Sequence, residues 1–332
     1  MTHKGLEQMT THTMLYLSRE DVESVGLPMA EIIKALDDMF REKGEGRVEM
    51  PPKPGIHTRE DAFIHAMPAY IPGLKSAGIK WVSGYPDNQK KNLPYITGLL
   101  ILNDPETGIP IAVMDATWIT AKRTGAATAV AAKYLARPDS STAGIIACGV
   151  QGRSNLEALA TLFAITKVKA FDIRRNAADE YAKEMGEALQ VEIEVVDDPR
   201  EAVVGMDLVV TSGPILKHPE PVIEAGWLCE GAFASPVDFD SYWQGEALEQ
   251  ADKLATDDLA QMEYYREEGY FESTPKPYAD LGEIAAGKKP GRQKDDERTI
   301  SMNLGLALDD MATAILIYNE ARKRGIGTEL PL

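Results

Sequence analysis

Gly149 and Gly152 stand where a backbone could meet a phosphate. In Ala147-Cys-Gly149-Val-Gln-Gly152 they follow an apolar run at 144–148 and precede a helical pattern at 154–165. This is G-x-G-x-x-G with alanine in the first place, a strand–turn–helix arrangement that binds a dinucleotide pyrophosphate. Gly149 permits close approach of the backbone, and Gly152 lets the helix pack tightly on the strand. The helix start supplies unpaired N–H donors and the positive end of a dipole. An acid is expected about 20 positions further on, to meet the ribose hydroxyls. Asp172 lies 20 residues after Gly152, at the end of a second strand. A carboxylate there favours NAD and repels a 2′-phosphate, although Arg174 and Arg175 just beyond could accept that phosphate and leave NADP possible. Without Asp172 in register the glycines would equally suit a plain strand–helix turn, and Ala147 weakens the match because its Cβ restricts φ.

Alternating strands and helices must hold this turn. Strands are predicted at 144–148, 168–173, 191–196, 208–211, 227–231 and 253–256, with helices at 154–165 and 177–189. Helices of about a dozen residues between apolar strands imply a parallel, doubly wound sheet. The chain before residue 142 has a different texture. Ser18-Arg-Glu-Asp21 is a capping box, Ile32, Ile33, Leu36 and Phe40 form a helical stripe after Pro28, and 50–54 is extended by its prolines. Strands at 62–69, 78–84, 95–103 and 109–115 follow, the last two joined by the turn Asp104-Pro-Glu-Thr-Gly108. An Ala-rich helix is predicted at 118–135 and an apolar-faced one at 306–324, closed by Gly325-Ile-Gly327.

The 332 residues carry 35 Lys+Arg against 52 Asp+Glu, a net charge of −17 that argues against nucleic acid and anionic membrane as partners. No apolar run reaches the ~20 residues of a membrane span. The start at 1–19 is polar, without a signal-peptide core. Only Cys148 and Cys229 are present, which fits a reducing compartment, and a cytoplasmic protein is expected. The histidines, His3, His12, His57, His65 and His218, show no metal-binding spacing, so no metal site is expected. The acidic surplus is uneven: residues 41–97 hold 9 bases and 6 acids, a locally positive stretch suited to a small anion.

Beyond the glycine turn, a series of segments resembles the ornithine cyclodeaminase/mu-crystallin family over nearly the full length. They run from Met67-Pro-Ala69, Ala77-Gly-Ile-Lys80, Asn88 and Leu93-Pro94 through Leu102-Asn-Asp-Pro-Glu-Thr-Gly108-Ile-Pro110. Ile119-Thr-Ala-Lys-Arg123-Thr-Gly-Ala126, Tyr134-Leu-Ala136, Gly149-Val-Gln151, 287–292 and Gly305-Leu-Ala-Leu-Asp-Asp310 complete the match. The resemblance implies an α/β fold. A Rossmann-type NAD(P)-binding domain (126–309) would be inserted in an α+β dimerisation and substrate domain (1–125 plus 310–332).

It also implies roles. Lys80 matches a substrate lysine, and Arg123 an arginine between substrate and cofactor. Lys53 stands where cyclodeaminases have a substrate-binding arginine, keeping the charge without the bidentate fork. Thr124, Val150, Gln151 and Thr211 are assigned as cofactor contacts beside Gly149, Gly152, Asp172 and Arg174, and Asn303 falls where the family usually places a serine or similar residue near the nicotinamide. Cyclodeaminases carry a catalytic Asp soon after the glycine matched by Gly231. Here the segment is Gly231-Ala-Phe-Ala-Ser-Pro236-Val-Asp238-Phe-Asp240, and Asp238 and Asp240 are the nearest substitutes.

The activity implied is an NAD(P)-dependent oxidoreductase of the Cα–N bond of a small L-amino acid or its imine, with an expected homodimer. Lys53, Lys80 and Arg123 suit a substrate carboxylate, while Lys80, its pKa lowered by burial and neighbouring cations, or Asp238, would serve as base. Dehydrogenase or imine-reductase chemistry is preferred to cyclodeamination of L-ornithine because the Asp is displaced. A non-catalytic mu-crystallin-like binder is the remaining alternative. Without the resemblance, each cation has a plainer setting: Lys80 on a strand edge, Arg123 paired with Asp115, Lys53 in a solvated loop. His65 is expected to be packed. Trp243, Tyr264, Tyr265, Tyr270 and Phe271 form an aromatic stretch over the site or an interface.

Overall fold

A computed structural model describes residues 12–59 and 61–332. Most of the polar start, with His3, lies outside the described residues.

The first part runs β1 (Thr13–Leu17), α1 (Arg19–Val25), α2 (Met29–Gly44), β2 (Gly55–Arg59), β3 (Ala62–Ile71), β4 (Ser76–Gly84), β5 (Ile96–Asn103), β6 (Pro110–Asp115) and α3 (Thr117–Leu135). Ser18 caps α1 through the predicted box, its backbone N–H and hydroxyl both meeting Asp21. Next come β7 (Thr142–Ile146), α4 (Val150–Leu162), β8 (Lys167–Phe171), α5 (Arg175–Leu189), β9 (Glu192–Val195), β10 (Leu208–Thr211) and β11 (Phe233–Pro236). The chain ends with α6 (Gly245–Glu249), β12 (Lys253–Thr256), α7 (Leu259–Glu267), β13 (Ala279–Asp280), α8 (Leu281–Ala285), β14 (Thr299–Met302), α9 (Ala307–Arg324) and β15 (Thr328–Pro331).

Two sheets result. One is mixed, in the order β15-β1-β6-β5-β4-β3-β2. The other, β13-β12-β14-β11-β10-β7-β8-β9, is parallel at every pairing. Its order reverses between β7 and β10, the switch point where such sheets bind ligands at their carboxyl ends. The α/β class and the Rossmann-type parallel sheet beside a second sheet are as expected.

Helices α3 and α9 join the two sheets. Ala126, Ala127, Ala129, Val130, Ala131 and Ala132 are all buried, and these small side chains let α3 lie close to α4 and α9. Burying such a helix stabilises the fold by about 25 cal/mol for each Å² of apolar surface removed from water. The expected boundaries at 125/126 and 309/310 fall inside α3 and α9, which run unbroken through them.

One predicted strand is absent. Residues 227–231 form turns, closed by Trp227 N–H on the Glu224 carbonyl and Ala232 N–H on that of Cys229. Those local bonds use the groups a ladder would need, so pairing with β10 begins only at Phe233. Helix α4 begins at Val150, four residues before the predicted start, directly on the glycine turn. Helix α9 ends as predicted, with Gly325 at φ 67°.

Candidate functional site

The carboxyl ends of the parallel strands form a ledge. After β7 the chain turns through Ala147 at φ 71°, a left-handed conformation that alanine adopts at a cost. Gly149 then caps α4. A β-carbon on Gly149 would meet nothing within 4 Å, whereas one on Gly152 would lie 2.6 Å from the Ala147 carbonyl oxygen. The first position is open for a ligand, and the second must be glycine for α4 to seat on β7. Val150 is 65% exposed at the helix start, and Gln151 Oε1 is buried without a partner. Asp172, just beyond β8, accepts the N–H groups of Cys148 and Arg174, each at 2.9 Å. It thus ties the glycine turn to the second strand, and Arg174 Nε stands 3.8 Å from it. An open glycine, free helical N–H groups and a carboxylate at the second strand fit the pyrophosphate and ribose of a dinucleotide.

Thr211 ends β10 beside this turn. Its hydroxyl donates to Asp238 Oδ1 at 2.7 Å and accepts from the Trp243 indole at 3.2 Å. Gly213 N–H meets Asp238 Oδ2 at 2.9 Å. Burial outweighs these donors and pushes the Asp238 carboxyl up to about 7. Ser212, which sequence reasoning missed, donates to the Ala147 carbonyl at 2.9 Å and so braces the turn. Asn303, after β14, accepts from Ser301 at 2.9 Å and reaches Ser235 at 3.5 Å. Ser235 in turn meets Thr128 at 3.1 Å, linking the ledge to α3.

Helix α3 carries Thr124 and Arg123 into the facing wall. The Thr124 hydroxyl bonds back to the Thr120 carbonyl at 2.8 Å. Arg123 Nη1 stands 3.4 Å from Asp309 Oδ2, and its Nε is 3.2 Å from Asp310 Oδ1. Lys80 on β4 is fully buried, with Nζ 2.6 Å from Asp310 Oδ2. Lys53 is buried as well, its ammonium donating to the carbonyls of Leu304 (3.1 Å) and Gly305 (3.2 Å). The three cations therefore converge where the sheets meet, and none keeps the plainer setting available to it.

Burial dominates the electrostatics here. It pushes Lys80 down to about 8, with Arg123 adding and Asp310 opposing. It lowers Lys53 too, reinforced by Arg123 and opposed by Asp257. Asp257 and Asp309 are raised by the same burial. His65, stacked on Phe63 at 4.3 Å, is driven down to about 3 by burial and the nearby lysines and is a neutral packed ring.

Asp257, Asp309 and Asp310 were missed as site residues. Their one sequence signal was the acidic pair Asp309-Asp310 within a run that is otherwise apolar, Leu306 to Ala312. Asp257 Oδ2 accepts the Gly305 N–H at 2.8 Å, and Gln261 reaches the Gly305 carbonyl at 3.4 Å. The aromatic stretch closes this side. Tyr265 lies under the Lys53 ammonium at 5.3 Å and packs on Phe239 at 5.0 Å, which also touches Tyr270 and Phe271. Asp238 is not part of the cation cluster. Among the described residues no hydrogen bond or ion pair joins it to Lys53, Lys80 or Arg123.

A parallel sheet with a glycine turn at its switch point and an acid after the next strand defines a dinucleotide-binding α/β protein. More narrowly, the chain belongs to the ornithine cyclodeaminase/mu-crystallin family, whose profile matches residues 12–325. It is 39% identical over 328 residues to alanine dehydrogenase of Archaeoglobus fulgidus, across 95% of this chain and 98% of that one. Its fold is similar to Thermococcus litoralis Δ1-pyrroline-2-carboxylate reductase, solved with NADH and L-proline. That match has a TM-score of 0.87 and 36% identity over 96% of this chain and all of that one. An archaeal alanine dehydrogenase dimer with bound NAD gives a TM-score of 0.86 and 37% identity, over 97% and 100% of the two chains. Among the described residues no helix is long and apolar enough to cross a membrane.

Proposed function

We propose that this protein is an NAD-dependent oxidoreductase that interconverts a small L-amino acid and its imine at the Cα–N bond. The observation that carries this is the convergence of Lys53, Lys80 and Arg123 against the ledge of the parallel sheet. The similarity to an alanine dehydrogenase and to a pyrroline-carboxylate reductase supports it.

Gly149, Val150, Gln151 and Gly152 would hold the pyrophosphate, Asp172 the ribose, and Thr124, Thr211 and Asn303 the nicotinamide end. Arg174 would stay outside, because Asp172 disfavours a 2′-phosphate. Bound NAD supplies the two-electron acceptor, and NADH the donor. Arg123 fixes the substrate carboxylate by charge-assisted hydrogen bonds, and Lys53 adds to them once the arriving anion favours its charged form, which places Cα and its nitrogen over the ledge. Lys80 takes the ammonium proton and frees the lone pair that drives oxidation; in the reverse direction it returns that proton. Lys80 is preferred to Asp238 as the base because both Asp238 oxygens already accept from Thr211 and Gly213. The same engagement disfavours cyclodeamination.

A homodimer in the cytoplasm completes the reading. Trp81 and Leu99 are cross-strand partners on β4 and β5, 48% and 49% exposed, an apolar pair suited to a second copy. A monomeric mass at micromolar concentration would overturn that part.

The activity is tested by following NADH absorbance with small L-amino acids, with their imines, and with L-ornithine plus catalytic NAD. Net NADH change with a small amino acid or imine is expected. Stoichiometric proline and ammonia without net NADH would instead mean cyclodeamination. If no amino or imino acid changes the NADH absorbance with the wild type, while Lys80→Ala binds cofactor normally, the protein is a binding protein.

A further inference from the structure

Asp310 has no part in the mechanism so far, yet it touches two residues that do. It sits in the first turn of α9 with no exposed surface. Its carboxylate stands between β4 and α3, with Oδ2 2.6 Å from Lys80 Nζ and Oδ1 3.2 Å from Arg123 Nε. We propose that Asp310 is a positioning residue. Its carboxylate sets the spacing of Lys80 and Arg123 and keeps Lys80 protonated up to the pH at which it must exchange a proton with substrate nitrogen.

The geometry supports this in two ways. First, both contacts are close but unaligned: neither Asp310 oxygen nor Arg123 Nε has a directed hydrogen-bond partner. Asp310 thus holds the cations by charge; their directed bonds are from the Lys80 ammonium to the Thr120 hydroxyl and from Arg123 Nη1 to Asp309, each at 3.4 Å, while Arg123 Nε has none. Second, two buried cations repel unless a counter-charge lies between them. The groups facing Lys80 are Asp310 and Asp309 from α9, Arg123 and Thr120 from α3, Lys53 ahead of β2 and His65 on β3. Asp310 is its ion-pair partner among the described residues, while Asp309 is held by the Leu306 N–H and Arg123. Removing the Asp310 charge therefore lowers the pH at which Lys80 gives up its proton.

The inference rests on Lys80 as proton carrier, and the experiment separates the two. The full chain is assayed with NAD across pH, and Lys80 reactivity toward an amine reagent is followed in parallel by peptide mass. Asp310→Asn is expected to bind NADH within about twofold of wild type, to move both midpoints down by about one pH unit, and to raise KM about tenfold. Asp310→Glu, which keeps the charge but moves it, is expected to restore the midpoint and leave KM raised. If Asp310→Asn does not fold, the Glu variant carries the test: an unchanged KM would overturn the proposal. An Asn variant that loses only thermal stability, with midpoints and KM unmoved, would also overturn it. An acid limb that survives in Lys80→Met would overturn the role of Lys80 and this inference with it.

Discussion

Gly305 lies against the guanidinium of Arg123 so closely that a β-carbon at 305 would stand 2.4 Å from Nη1 and 3.0 Å from Nη2. The residue also takes φ 80°. Its peptide is gripped on both sides, the N–H by Asp257 and the carbonyl by Lys53 and Gln261. Gly305→Ala should therefore strain the backbone by about 1–2 kcal/mol and displace Arg123. A displacement near 1 Å predicts a loss of about 100-fold in kcat/KM, with NADH affinity retained. Steady-state kinetics beside a cofactor titration would check it.

Ala147 predicts the opposite sign. Its left-handed φ of 71° stands where the dinucleotide fingerprint has glycine. Ala147→Gly relieves about 1–2 kcal/mol of strain and loses about 0.4–1 kcal/mol through the freer unfolded chain. Thermal unfolding should show a net gain of about 0–1.6 kcal/mol, with unchanged NADH affinity.

The position of Lys80 sets a pH profile. Burial lowers its ammonium to about 8, and as the proposed base it must be neutral to accept a proton from the amino acid. Amino-acid oxidation should rise through about pH 8 and level off above it, while imine reduction should fall through the same pH. For stability the sign is also fixed. The folded pKa lies below the ordinary 10.5, so the unfolded chain binds more protons between about 8 and 10.5, and the contribution of Lys80 rises with pH across that window. Rate profiles and pH-dependent unfolding of wild type against Lys80→Met would test both.

Asp172 separates cofactor choice from turn geometry. Asp172→Ser removes the carboxylate that accepts the Cys148 and Arg174 N–H groups. NADH binding should weaken about tenfold, about 1.4 kcal/mol, and NADPH should gain relative to NADH because Arg174 is left without its acid. Fluorescence titration with both cofactors measures this.

Asp238 should behave as a buttress. Asp238→Asn turns an amide N–H toward Gly213 N–H or Thr211, leaving one buried donor unpaired at about 1–3 kcal/mol. The variant should unfold at lower temperature while the acid limb of the oxidation profile keeps its midpoint. A shifted midpoint would return the role of base to Asp238.

Much of the dinucleotide half was legible because its signals are local. Gly149, Gly152 and Asp172 fall within one strand–helix–strand unit, where spacing along the chain is nearly spacing in space. Short strands were harder. β15 is mostly exposed and carries Pro331, and β14 spans only Thr299–Met302, too few residues to show a period. The segment 227–231 looked like a strand by composition, but local turns took its backbone bonds.

The sequence by itself determined the family, the parallel sheet with its glycine turn, and the identity of Lys53, Lys80 and Arg123 as residues of interest. Only the tertiary structure decided what those cations face. Arg123 and Asp309 are 186 residues apart, and Lys53 and the Leu304 carbonyl 251. Such partners meet only when α3, α9 and the strand ends pack together. The charge state of each follows from the water that this packing removes, and no spacing along the chain encodes that.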